Sequence, residues 1–155
     1  MEPKHTINFI VASARESRIR LRIAREAARA SEDDLARFVD NSVSWYFDLE
    51  NCDGELHDNI EIGQLSGLCA ALGIKSRELF ETENSTQPSI DAGEICSKIN
   101  IYLDTTNTSI KTFEDRVGYT IQPCLLNSAE VLKWNIDCLR LVCNEIGANW
   151  LHALP

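Results

Sequence analysis

No stretch of this chain approaches the roughly 20 consecutive apolar residues that a membrane-spanning helix needs, although 44 % of its 155 residues are hydrophobic. The composition is that of a globular protein, and no membrane partner is expected. Six cysteines are present (Cys52, Cys69, Cys96, Cys124, Cys138 and Cys143), but no two stand in a CxxC pair of the kind that signals zinc or thiol exchange. His5, His57 and His152 are scattered, with no HExxH. No metal site is expected. The seven glycines stand singly, so the chain has no GxxxxGK[ST] phosphate loop, GxGxxG turn or GxSxG elbow. Adjacent carboxylates such as Asp33-Asp34 and Glu114-Asp115 point to different sides of a helix, which suits solvation rather than acid/base work. The expectation is a non-enzyme with no cofactor and no small-molecule ligand. The opening MEPKHTINFIVASARE has too short an apolar stretch for a signal peptide, which points to a cytoplasmic protein whose thiols are reduced and act as small hydrophobes.

What is present is an uneven charge. The net charge is -9, yet residues 1–30 carry seven Lys/Arg (Lys4, Arg15, Arg18, Arg20, Arg22, Arg25 and Arg29) against Glu2, Glu16 and Glu26, a local excess of +4. The rest of the chain is then -13. Such a body repels a polyanion, so a nucleic-acid contact would have to be led by the first basic segment. The alternative is a solvated helix face laced with i,i+4 pairs such as Arg22 to Glu26.

Helix signals follow in close succession. Residues 17–30 lack Pro and Gly and place Ile19 and Ile23 on one face. Ser31, with Glu32, Asp33 and Asp34 behind it, is an N-cap followed by an acidic first turn. That second helix runs through Leu35, Ala36 and Val39 and stops at Asp40-Asn41, residue types that tolerate left-handed backbone. A third helix is predicted over 43–50, ending at Asn51-Cys52-Asp53-Gly54, and two more over 60–72 and 76–81.

The residues LRIAREAARASEDDLARFVDNSVSWYFDLE, followed by LCAALGIKSRELF, resemble the lambda-repressor-like (XRE/Cro) helix-turn-helix family. The register from Ser31 to Glu50 needs no gap, and the likeness covers residues 17–81, about 40 % of the chain. It implies an all-α fold: a five-helix helix-turn-helix domain over 1–81 with an N-terminal extension, then a second small helical domain. Leu35, Ala36, Val39, Tyr46 and Leu49 fall where that family packs its core, and Arg25 and Glu50 where it often forms an ion pair. The implied DNA-facing residues are Arg18, Arg22, Arg25 and Arg29 for phosphates and Ser42, Ser44, Trp45 and Asp48 on or beside the third helix. The sequence departs from the family here. Of the third-helix positions only Ser44 is a usual base reader, whereas Glu32 and Asp48 put carboxylates where phosphates would lie.

Residues 82–91 are polar, contain Pro88 and show no periodicity, which reads as a linker. Beyond it the pattern of the first half echoes over 92–155. Ser109 matches Ser31, Phe113 matches Leu35, Val117 matches Val39 and Gly118 matches Asp40; farther on, Cys143 matches Cys69 and Gly147 matches Gly73. The second helical domain therefore reads as a degenerate repeat, with Pro123 in the place of a recognition helix and Leu103 and Ser128 replacing the ion pair. The family likeness makes a DNA-binding transcriptional regulator, weak or atypical in its DNA binding, the first functional expectation. The alternative is a protein-protein interaction module of antitoxin, immunity or accessory type, taking a protein partner or a second copy through Trp45 and Phe47.

Overall fold

The structure, a computed structural model, describes residues 12–82 and 88–155. The described residues form an all-α protein whose helix ends are written by capping side chains. Helix α1 (Ala14–Ala27) starts three residues before the sequence suggested, because the Ser13 hydroxyl accepts from the Glu16 amide at 3.1 Å. It ends where Arg29 turns left-handed (φ 55°). Helix α2 (Glu32–Phe38) is started by a capping box: the Asp34 amide donates to Ser31 Oγ at 3.0 Å, and the Ser31 amide donates to Asp34 Oδ2 at 3.3 Å. Its exit bends at Asp40 (φ 55°), where the Asn41 amide closes back on the Ala36 carbonyl at 2.9 Å. Ser42 then caps α3 (Val43–Asn51).

A single turn, α4 (Glu55–Asp58), precedes α5 (Ile62–Leu72), where the sequence reading had one helix starting at 60. The last element of the first half is a 3-10 turn, Ser76–Leu79. The second half runs through α6 (Ala92–Thr106), α7 (Ile110–Val117), α8 (Gln122–Leu126), a 3-10 turn (Ser128–Lys133), α9 (Ile136–Ile146) and a final 3-10 turn (Trp150–Ala153).

This order of elements repeats that of the first half, and the backbone repeats with it. Left-handed residues close α1 and α6 at Arg29 and Asn107, α2 and α7 at Asp40 and Gly118, and α5 and α9 at Gly73 and Gly147. Each half is also tied shut in a similar way. The Ala12 amide donates to the Phe80 carbonyl at 2.8 Å, and the Ile90 amide donates to the His152 carbonyl at 2.7 Å. Ile90 and Asp91, the latter capping α6, thus belong to the framework of the second half, while 83–87 of the expected linker lie outside the described residues.

The buried side chains form one continuous cluster that crosses both halves. Helix α4 lies against α9 and α5 against the Ser128–Lys133 turn. The joint has backbone character: the Ile62 amide donates to the Trp134 carbonyl at 2.8 Å, and Asn135 Nδ2 donates to the Asp58 carbonyl at 3.0 Å. Gly63 permits this approach, since a Cβ there would stand 3.3 Å from the Leu132 carbonyl oxygen. Ile60, Ile62, Trp134 and Ile136, which flank these bonds in the chain, are all buried.

Candidate functional site

The helical period decides which side of α3 faces solvent. Tyr46, Leu49 and Glu50 are buried; Val43 and Phe47, one turn apart along one edge of that buried stripe, are about half exposed, with Ser44 farther round the helix. Trp45 takes an intermediate place. Its ring packs at the edge of the core and its indole N–H donates to the Asn59 carbonyl at 3.1 Å, so it is tied to the loop before α5. Ser42 spends its hydroxyl on the Trp45 amide. Asp48 is partly buried and accepts a weak contact from the Cys52 thiol.

Arg18, Arg22 and Arg25 of α1 converge on the C-terminal end of α3, where unsatisfied carbonyls and the helix dipole concentrate negative charge. Arg25 holds the fully buried Glu50 with two bonds, Nε to Oε1 at 2.6 Å and Nη2 to Oε2 at 3.0 Å. Tyr46 adds a third, its hydroxyl donating to Glu50 Oε1 at 3.0 Å. Burial, followed by the Glu50 carboxylate, pushes the Tyr46 phenol far above its ordinary value. The hydrogen bond to Glu50 raises Arg25 despite partial burial. Arg22 donates to the Glu50 carbonyl at 3.3 Å and to the Asn51 side chain, so the i,i+4 pair with Glu26 expected from the sequence is not formed; the tertiary partner wins. Arg18 binds Asp53 at 2.5 Å and the Glu50 carbonyl at 3.2 Å.

Of the four arginines assigned to phosphates, three are therefore engaged within the fold. Arg29 alone of the four is exposed and makes no ion pair among the described residues. Glu32, at the start of α2, lies 3.5 Å from Arg25 and is partly shielded by it.

The α2–α3 surface is acidic. Residues 31–51 hold six carboxylates, five of them outside the core, and one basic residue, Arg37, which is itself paired with Asp33. The matching part of the second half is built differently. Its α8 has five residues with Pro123 in the first turn, and apolar Leu103 is buried at the position matched to Arg25. Phe38, exposed on the last turn of α2, was missed by the sequence reading, although its lack of a hydrophobic partner at i±4 was visible. Among the described residues no group of His, Cys, Asp or Glu is placed to hold a metal, and no helix is long and apolar enough to cross a membrane. Compared with known proteins, the chain matches no protein-family model, no curated protein and no solved structure.

Proposed function

We propose that the chain is a protein-interaction module on a scaffold similar to the XRE/Cro helix-turn-helix, presenting α3 to a protein partner rather than to base edges. One observation carries this reading. The exposed edge of α3 offers Val43 and Phe47 within a segment that has five carboxylates outside the core and a single, already paired arginine. Phosphates would be repelled by such a face, whereas an apolar pair with a charged rim is the usual anatomy of a protein interface. The inward use of Arg18, Arg22 and Arg25 supports it further, because the positive charge that could have offset the carboxylates is spent on α3. In this reading the second half is a degenerate copy of the first that buttresses it, and six unpaired thiols suit a reducing, cytoplasmic setting.

The DNA-binding regulator is the second reading. It is favoured by the two serine-capped helices joined through a left-handed Asp40, with Ser44 and Arg29 outside.

Anisotropy titration of a labelled random duplex at ~150 mM salt separates the two. The interaction reading expects affinity at or below the weak end of the roughly 10⁻⁴ to 10⁻⁶ M range of non-specific binders. Micromolar binding with a steep salt slope would overturn it. Affinity capture from the host with the parent and with Phe47→Ser as baits supplies the other arm: a protein retained by the parent and lost with the variant supports the α3 interface.

A further inference from the structure

We propose a second docking site, independent of α3, in the shallow groove that crosses the junction of the halves; its occupant is an extended basic segment of a partner protein bearing an aliphatic anchor. Two adjoining clefts, of about 520 and about 360 Å³, share Glu61 and Lys133 and so form one trench. Clefts of this size at the joint between structural units are where ligands commonly bind. In the first cleft the Phe38 ring packs over Gly67 of α5, where a Cβ would stand 3.3 Å from it, and Leu132 packs over Gly63 in the same way. Phe38 is 58 % exposed and Leu132 39 %. Single exposed apolar side chains are ordinary, but two that line one cleft, each over a glycine of α5, give it an apolar slot for an aliphatic side chain.

Charge identifies the occupant. Asp40 and Glu61 line the first cleft and Asp58 the second, and none of the three is in a salt bridge among the described residues. Lys133, the one cation of the trench, is matched by Glu130 at 2.9 Å. Three carboxylates outside any salt bridge, beside an apolar slot, repel a nucleic acid and attract Lys or Arg flanking an apolar residue. An extended segment suits the trench, because its alternate side chains can enter the slot and meet the carboxylates in turn.

The test uses the full chain and a fluorescein-labelled ten-residue peptide, one leucine flanked by lysines in a Gly/Ser background, read by anisotropy. The paired change Asp40→Asn with Glu61→Gln removes charge while Asn still tolerates the left-handed backbone at position 40. Glu26→Gln with Asp104→Asn removes the same charge from exposed sites on α1 and α6 outside the trench. The trench pair is expected to weaken binding at least fivefold and the remote pair less than twofold, with the Gly63 and Gly67 amides shifting in heteronuclear spectra on titration. Exchanging the leucine of the peptide for serine should weaken binding at least fivefold as well. Equal effects of the two paired changes, indifference to the leucine, or no saturable binding would each overturn the site. Val43 and Phe47 are untouched throughout, so failure of the α3 reading leaves this outcome unaffected, and the converse holds.

Discussion

Arg25 clamps Glu50 through two hydrogen bonds of 2.6 and 3.0 Å, and the carboxylate it holds has no exposed surface. A pair whose carboxylate is fully buried is costly to break from one side, since the survivor loses its two short bonds: Arg25 would keep only Glu32 at 3.5 Å and the Ala30 carbonyl. Glu50→Ala is expected to lower stability by about 3–5 kcal/mol, against roughly 0–1 for an exposed pair. In the second half a buried Leu103 stands at the position matched to Arg25, which suggests an apolar replacement for the pair. Arg25→Leu combined with Glu50→Gln should therefore cost less than the two single changes added together. Urea unfolding of the three variants measures the coupling, and strict additivity would mean that the pair does not act as a unit.

Both halves share one buried cluster and are joined by the Ile62 backbone hydrogen bond and the Asn135 side-chain bond to the Asp58 carbonyl, so they are expected to unfold together. Calorimetry should show one transition, with an enthalpy of roughly 110 kcal/mol near 60 °C for a chain of this length and a van't Hoff value that agrees with it. Independent halves would instead give a van't Hoff enthalpy near half the calorimetric one.

The helix ends were legible because their causes are local. Ser31, the Asp40-Asn41 stop and Gly73 each act on backbone within four residues, and the sequence shows them directly. Helix α4 was not legible, since one turn has no period to detect and Leu56 holds it only by entering the core. For the α1 arginines, the i,i+4 rule offered Arg22 a neighbour at Glu26, whereas the end of α3, which sequence spacing cannot place in space, takes it. The exposure of Phe47 could be argued from Tyr46 and Leu49 going inward. The trench could not, because its walls come from α2, α5 and a turn of the other half.

His57, on α4, packs edge-on to Phe80 at 5.3 Å between ring centres and leaves Nδ1 buried with no hydrogen-bond partner. Burial lowers its pKa below the ordinary histidine value; Asp58 and Asp137 work against the shift, and Arg140 adds to it. The unfolded chain then takes up a proton near pH 6.5 that the folded protein resists. Stability is accordingly full above that value and falls as the pH drops from it toward the depressed folded pKa. Melting temperatures between pH 7.5 and 5.5 should decline, and His57→Leu should flatten the decline. An equally steep profile in the variant would assign the effect to other groups.

Five of the six thiols are buried. Desolvation raises Cys69 to about 11 and Cys138 and Cys143 to about 12, which leaves almost no thiolate at neutral pH. Cys52 is exposed, and its thiol is also pushed up, by desolvation first and the nearby Asp48 second. A disulfide-exchange reagent at pH 8 should modify one thiol in the folded protein, at Cys52, and the remaining five only in denaturant. Peptide mapping that finds any buried cysteine labelled as early as Cys52 would contradict the packing of the core around that cysteine.

Trp45 and Phe47 are neighbours on α3 with different duties, and two substitutions separate them. Trp45 lies at the edge of the core and its indole N–H is bonded to the Asn59 carbonyl at 3.1 Å, so Trp45→Ser removes packing and strands that carbonyl. Loss of a fully buried large side chain costs about 3–5 kcal/mol, and the partial exposure of Trp45 reduces this to roughly 2–3. Phe47 is 49 % exposed and holds nothing in place through its ring hydrogen bonds, having none to make. Phe47→Ser should shift stability by no more than about 0.5 kcal/mol, as surface changes usually do. Thermal melts give the first comparison and partner capture the second. Trp45→Ser is expected to melt early, while Phe47→Ser melts with the parent yet loses the partner. A Phe47→Ser protein that melts several degrees early would show that this ring is core, and the apolar face of α3 would then have no free anchor to offer.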